Sequence, residues 1–283
     1  MRRKICRIIL TGLCAAALTG CGKSAETEKE QLALRSQGME QAAAGEYEAA
    51  VSAYNEALGL AGMHVGALEL DIAAYKASAQ YHMGETQKAI DTCSAVLDLK
   101  KSAELYLTRG LLYRADGNVE KANEDFKAAI DRTSEKDLIM LGRLSYYMED
   151  YPKAKEYLEI AADEGETEAL YWQAELYRQM GNEDYAVTLY QSYLDGEPQQ
   201  MSAYAKVADW QIRQEDYDAA LETLQAGIAK GDGGSMQELL ANEIVVYEKK
   251  GDFETAKLKM ESYLESYPDD EAAAREYVFL KSR

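Results

Sequence analysis

Little in this chain of 283 residues would break a helix, bridge it covalently or carry it across a membrane. Proline occurs only three times, and apolar residues recur at helical spacing throughout, so almost no strand is expected. Of the four cysteines, Cys6, Cys14 and Cys21 stand at the extreme N-terminus and Cys93 is alone beyond them. With the first three removed or used there, no intramolecular disulfide can form, and an oxidising compartment is tolerated rather than exploited. The apolar stretch from Ile8 to Leu18 is eleven residues, short of the roughly twenty that a membrane-spanning helix needs. Basic residues are in deficit, 31 against 50 acidic, for a formal charge of −19. That balance repels nucleic acid and anionic lipid surfaces.

Reactive constellations are missing as well. His64 and His82 are the only histidines, and no cysteine or carboxylate cluster surrounds them at metal spacing. A nucleophile elbow and a calcium loop with alternating aspartates are absent. Fifty carboxylates guarantee pairs at four-residue spacing, but on exposed helix faces such residues are solvated or paired with lysine. Ala17 to Ser24, ALTGCGKS, fits a relaxed phosphate-loop pattern without the preceding strand and following helix that would aim backbone amides at phosphate. The run Gly231 to Gly234 is explained by a flexible turn. No enzyme, cofactor or metal site is expected.

What is present is a repeat. Gly45, Gly84, Gly117, Glu149, Gly181, Glu215 and Gly251 are spaced 39, 33, 32, 32, 34 and 36 residues apart, and an alanine follows each at plus five, from Ala50 to Ala256. Seven residues before each stands a small residue, Gly38, Ala77, Gly110, Gly142, Ala174 or Ala208, with Ile244 the exception. Nine after comes a larger one: Tyr54, Cys93, Phe126, Leu158, Tyr190, Leu224 or Met260. Small residues let two helices approach closely, and the larger ones fill the gap, so Cys93 is expected to pack rather than react. Pro198 and Pro268, at plus seventeen in two repeats, mark the end of a second helix. Each unit is therefore a helical hairpin.

The pattern resembles the tetratricopeptide repeat, a helix-turn-helix unit of about 34 residues that stacks into a solenoid. The third unit matches best, with Tyr106, Gly110, Tyr113, Gly117, Ala122, Phe126 and Ala129 in the family's signature places. The resemblance covers residues 31–268 and implies an all-α, right-handed superhelical solenoid of about seven hairpins. Residues 269–283 read as a capping helix with Ala273, Tyr277 and Leu280 on one side, as a soluble solenoid requires. Register is weakest at the two glutamate turns and at an insertion around LGLAGMHVGALEL.

The N-terminus speaks to compartment. Arg2, Arg3, Lys4 and Arg7 precede the apolar stretch, as in a secretory signal. Leu18-Thr19-Gly20-Cys21 resembles the lipobox of bacterial lipoproteins, which implies cleavage after residue 20 and lipidation of Cys21. An ordinary cleaved signal with an incidental cysteine is the alternative. Two or more acyl chains anchor stably where one does not. Residues 21–30 are expected to form the lipidated cysteine and a flexible tether. Gly22 rather than aspartate after the cysteine implies the outer membrane if the source is diderm. Without residues 1–20 the chain carries 27 basic and 50 acidic residues, a charge of −23.

In this family the first helices line the concave side, and the resemblance assigns Tyr75, Tyr81, Arg114, Arg143, Tyr146, Tyr147, Tyr171, Trp172, Arg178, Lys206 and Arg213 to that groove. Aromatics and arginines dominate it, with acids expected to face outward. These are the residue types of binding hot spots. Arginines would pair with ligand carboxylates and tyrosines would clamp apolar side chains, although each tyrosine can equally serve to pack neighbouring helices. The expected function is a membrane-anchored extracytoplasmic scaffold or adaptor that binds a protein or peptide partner with acidic or aromatic residues, touching membrane only through its lipid. The alternative is a ligand-binding lipoprotein that takes a glycan or small solute in the aromatic groove.

Overall fold

A computed structural model of the chain describes residues 24–62, 64–196, 198, 200–231 and 233–283. Among them fifteen helices follow one another without a strand. In order they are α1 (Ala25–Ala43), α2 (Tyr47–Leu60), α3 (Ala67–His82), α4 (Thr86–Leu99), α5 (Ala103–Ala115), α6 (Val119–Ile130), α7 (Leu138–Tyr147) and α8 (Tyr151–Asp163). They continue with α9 (Glu168–Gln179), α10 (Glu183–Leu194), α11 (Ser202–Arg213), α12 (Tyr217–Lys230), α13 (Gly233–Lys249), α14 (Phe253–Ser266) and α15 (Glu271–Leu280). Consecutive helices pack as seven hairpins from α1–α2 to α13–α14, and α15 packs on α14.

Every hairpin turn is built alike. In the third, the Gly117 N–H donates to the Arg114 carbonyl at 3.0 Å and the Asn118 N–H to the Tyr113 carbonyl at 2.8 Å. This closure requires a left-handed residue at the turn, and Gly117 has φ +80°. Asn118 then caps α6, its side chain accepting from the Lys121 N–H, and Asp150, Asp216 and Asp252 cap α8, α12 and α14 in the same way. Glu149 and Glu215 take the glycine conformation, both at φ 62°. Their successors make the same backbone bonds, Asp150 to Ser145 and Asp216 to Gln211 at 2.9 Å. Register therefore passes through both glutamate turns unbroken.

Within each hairpin the small and large positions meet. A Cβ added at Gly110 would lie 2.5 Å from Phe126 Cε1, and one at Gly142 would lie 2.6 Å from Leu158. Tyr54, Phe126, Leu158 and Leu224 are all fully buried. In the seventh hairpin Ile244 shares its cluster with Met260, whose flexible side chain adapts to the extra bulk. The same cluster takes in Ala273, Tyr277 and Leu280 of α15.

The structure differs from the sequence-based expectation in two segments. Residues 25–30, expected as tether, are the first turns of α1, which Ser24 caps by accepting from the Thr27 N–H at 3.1 Å. Glu26 and Glu28 in that turn favour the positive end of the helix. Gly233 and Gly234 belong to α13 rather than to a loop, and Gly231, at φ +74°, serves the turn that ends α12. Around the insertion, residues 58–60 still belong to α2 and residues 67–70 to α3, which starts where the Gly66 N–H donates to Glu69 at 2.7 Å. The expected signal segment and Cys21 lie outside the described residues. No described helix is long and apolar enough to cross a membrane.

First helices stack on first helices, α1 on α3, α3 on α5, α7 on α9 and α11 on α13, and they form the inner wall. That wall comes round on itself, because α13 also packs against α1. The first and last hairpins thus meet at a seam.

Candidate partner-binding groove

Three groups of side chains occupy the inner wall. Near its start, α3 and α5 enclose an apolar hollow of about 480 Å³ lined by Ala74, Tyr75, Tyr81, Leu111 and Leu112 among others. Tyr81 is 43% exposed there, while Tyr75 stacks on buried Tyr54 with ring centroids 6.2 Å apart. This hollow suits an apolar side chain of a partner.

The middle group is aromatic. Tyr146 and Tyr147 meet edge to face at 5.2 Å, and both lie about 6 Å from the Trp172 ring, at 6.1 and 5.9 Å. Trp172 in turn meets Tyr171 edge to face at 5.4 Å. Tyr171 and Trp172 are only 9% and 8% exposed and belong to the core between α9 and its neighbours. Tyr171 bonds Ser202 across to α11 at 3.1 Å, and burial pushes its phenol up to about 12. Their expected role as contact surface is therefore corrected. In this structure they are packing residues that hold the partly exposed Tyr146 and Tyr147 in place. Burial likewise raises the Tyr146 and Tyr147 phenols above their ordinary value, so all three stay neutral donors.

The basic group is less free than its sequence suggests. Arg114 reaches across to the next hairpin, bonding the Tyr147 carbonyl at 2.9 Å and the Glu149 carboxylate at 3.1 Å. Arg178 is paired with Glu175 at 2.7 Å, and that bond raises its pKa. Arg213 holds Glu183 at 2.5 Å and Asp209 at 3.2 Å, and Lys206 stands 3.9 Å from Glu238. The expected segregation of charge, acids outward and bases inward, is thus corrected too: Glu149, Glu175, Glu183, Asp209 and Glu238 neutralise four of the five basic groove residues. Arg178, Lys206 and Arg213 with Glu183 and Asp209 surround a small hollow of about 150 Å³.

Arg143 is the exception. Its guanidinium lies 4.8 Å over the Trp172 ring, and its Nε is buried without a hydrogen-bond partner. No carboxylate among the described residues pairs with it, although Tyr146 and Tyr147 flank it on the same helix. A half-buried cation held on an aromatic face without a carboxylate of its own can accept an incoming carboxylate or carbonyl oxygen as partner.

Sequence reasoning placed Glu175 and Asp209 beside the groove bases but missed Leu112 in the apolar hollow and Glu149, Glu183 and Glu238, which pair with Arg114, Arg213 and Lys206. Pairs such as Arg114 with Glu149 or Arg213 with Glu183 join neighbouring hairpins, and nothing in the spacing of one repeat announces them.

Models described as tetratricopeptide repeat match residues 35–104, 103–136 and 139–201. A curated relative, lipopolysaccharide assembly protein B of Escherichia coli K12, is 29% identical over 140 residues, 47% of this chain and 35% of the relative. The chain thus spans about a third of the length of the curated relatives it matches. Among solved structures, the fold is similar to yeast Tom70, with TM-score 0.65 and 15% identity over 90% of this chain and 54% of that one. It is also similar to a tetratricopeptide repeat protein from Parabacteroides merdae, with TM-score 0.50 and 16% identity over 90% of this chain and 100% of that one.

Proposed function

We propose, from the premise that this chain belongs to the tetratricopeptide repeat family, that it is a lipid-anchored extracytoplasmic adaptor whose inner wall takes an extended peptide of a protein partner. The fold is that of a protein–protein interaction scaffold. The observation that carries the choice of site is Arg143, the groove cation left without a carboxylate and held on Trp172. A ligand carboxylate would bond it, Tyr146 and Tyr147 would border the bound segment, and an apolar partner residue would enter the hollow beside Tyr75 and Tyr81. The remaining basic residues, already paired within the chain, would set orientation more than affinity. Anchoring rests on the lipobox-like Leu18 to Cys21. The Escherichia coli relative is named for lipopolysaccharide assembly, which is in keeping with work at an envelope surface.

Affinity capture from membrane and secreted extracts, with the full chain and its Arg143→Glu variant side by side, tests the groove. A partner whose retention falls tenfold or more in the variant, about 1.4 kcal/mol, supports the reading. Retention unchanged in Arg143→Glu and in Arg143→Glu combined with Arg178→Glu overturns it. Anchoring is tested separately, because Cys21→Ser should release the chain from the membrane fraction.

A further inference from the structure

The seam between the first and last hairpins contains a cavity of about 340 Å³. That volume lies within the range of about 300–1,000 Å³ typical of small-molecule sites. Its walls come from opposite ends of the chain: Tyr47, Tyr54, Tyr75 and His82 from one side, Gln237 and Tyr267 from the other. Such a site exists only because α13 packs on α1.

The lining is unusual for this chain. Charged residues make up 29% of the sequence, so about three or four would be expected among twelve lining residues, yet the only titratable groups there are tyrosines and His82. No lysine, arginine, aspartate or glutamate stands in the lining to meet a carboxylate, phosphate or ammonium ligand, and the nearby Arg35, over the Tyr75 ring, is paired with Asp71. Seven of the twelve nevertheless carry a hydrogen-bonding group: four tyrosine hydroxyls, the Ser78 hydroxyl, the His82 ring and the Gln237 amide. The Tyr54 hydroxyl is buried without any hydrogen-bond partner, and a buried polar group left unpaired is unfavourable. A purely apolar ligand would leave several of these groups without a partner, although the Gln237 amide nitrogen already donates to the Tyr263 hydroxyl at 3.0 Å. Aromatic rings also line it: Tyr47 and His82 lie parallel at 5.0 Å and 8°, and the half-buried Tyr75 stacks at 6.2 Å and 20° on the buried Tyr54.

Neutral polar groups beside parallel rings suit a ligand with an apolar face and many uncharged hydroxyls. We propose that the seam cavity binds an uncharged saccharide, one or two sugar rings at a time, and that occupancy ties the two ends of the solenoid together. The site lies away from Arg143 and adjoins the first hollow of the groove, with which it shares Tyr75 and Ser78.

Saturation-transfer NMR on the full chain, with maltotriose and with tri-N-acetylchitotriose as probes and a trimeric uronate as the charged counterpart, tests this directly. Transfer to at least one neutral trisaccharide is expected. It should weaken tenfold or more in Tyr267→Ala and severalfold in Gln237→Leu, which keeps the bulk while removing the amide, and it should persist in Arg143→Glu. Circular dichroism of each variant shows that the helices remain. No transfer from either neutral trisaccharide overturns the proposal. So does transfer untouched by both seam variants, equal transfer from the uronate, or loss in Arg143→Glu, which would place the sugar in the groove.

Discussion

Two positions in each hairpin favour a residue without bulk, and they forbid different things. At Gly117, in the turn, φ is +80° and an added Cβ would meet nothing within 4 Å. At Gly110, inside α5, the backbone is helical and an added Cβ would lie 2.5 Å from the Phe126 ring. The turn makes a conformational demand and the helix a spatial one. The chain departs from the first twice, at Glu149 and Glu215, and from the second once, at Ile244, where the facing residue is a methionine. Left-handed backbone costs an L-residue about 1–2 kcal/mol, which conserved backbone bonds around the turn can offset. Overlap with a buried ring has no such remedy unless the ring itself changes.

The largest effect expected from this contrast is at the helix position. Gly110→Leu should lower stability by about 3 kcal/mol, the upper part of the usual range for overpacking, read as a shifted urea midpoint. Adding Phe126→Ala to it should restore part of the loss, because the two volumes then exchange, and no recovery would show that the clash is not with Phe126.

Cys93 gives a second measure of the same interlock. It occupies the large position of the second hairpin, is fully buried, and has its thiol pushed up to about 12 by burial. At pH 8 its reaction with a disulfide reagent should be slower by about a thousandfold or more than in the unfolded chain, since the thiolate is the reactive form. Ala77→Val, opposite it, should accelerate labelling. The sign of the pH effect follows from the raised value. This thiol contributes stability fully below its unfolded pKa near 8.5, and that contribution fades as pH climbs from there toward 12.

The turn position should give the smallest changes, and in the opposite direction. Glu215→Gly relieves left-handed strain without losing any ion pair among the described residues, and should add about 1 kcal/mol. Glu149→Gly relieves the same strain but gives up the exposed contact with Arg114, so its gain should be smaller by up to about 1 kcal/mol. Equal gains in paired urea titrations would mean that the Arg114 contact contributes nothing.

The same contrast explains what could be read in advance. Gly110 and Phe126 touch within one hairpin, so their spacing repeats with the unit and is visible in sequence. The left-handed turn was visible for the same reason, even where glutamate stood in it. Groove exposure is set between hairpins, by the rotation from one to the next. Tyr146 and Tyr171 read alike in sequence, yet α11 covers Tyr171 and leaves Tyr146 partly open. The seam was wholly hidden, because Tyr47 and Tyr267 are neighbours only after the curvature of every intervening unit has accumulated. The extension of α1 back to Ala25 is illegible from composition, because a polar, charged segment has the make-up of a tether while Ser24 supplies a helix cap.

A row of hairpins ordinarily behaves like a chain of dominoes with two free boundaries, each able to unravel without the other's knowledge. Contact between α1 and α13 removes that independence. Trimming the first helix should loosen the thirteenth, so damage at one terminus is registered at the other, and the outermost units melt together rather than one by one.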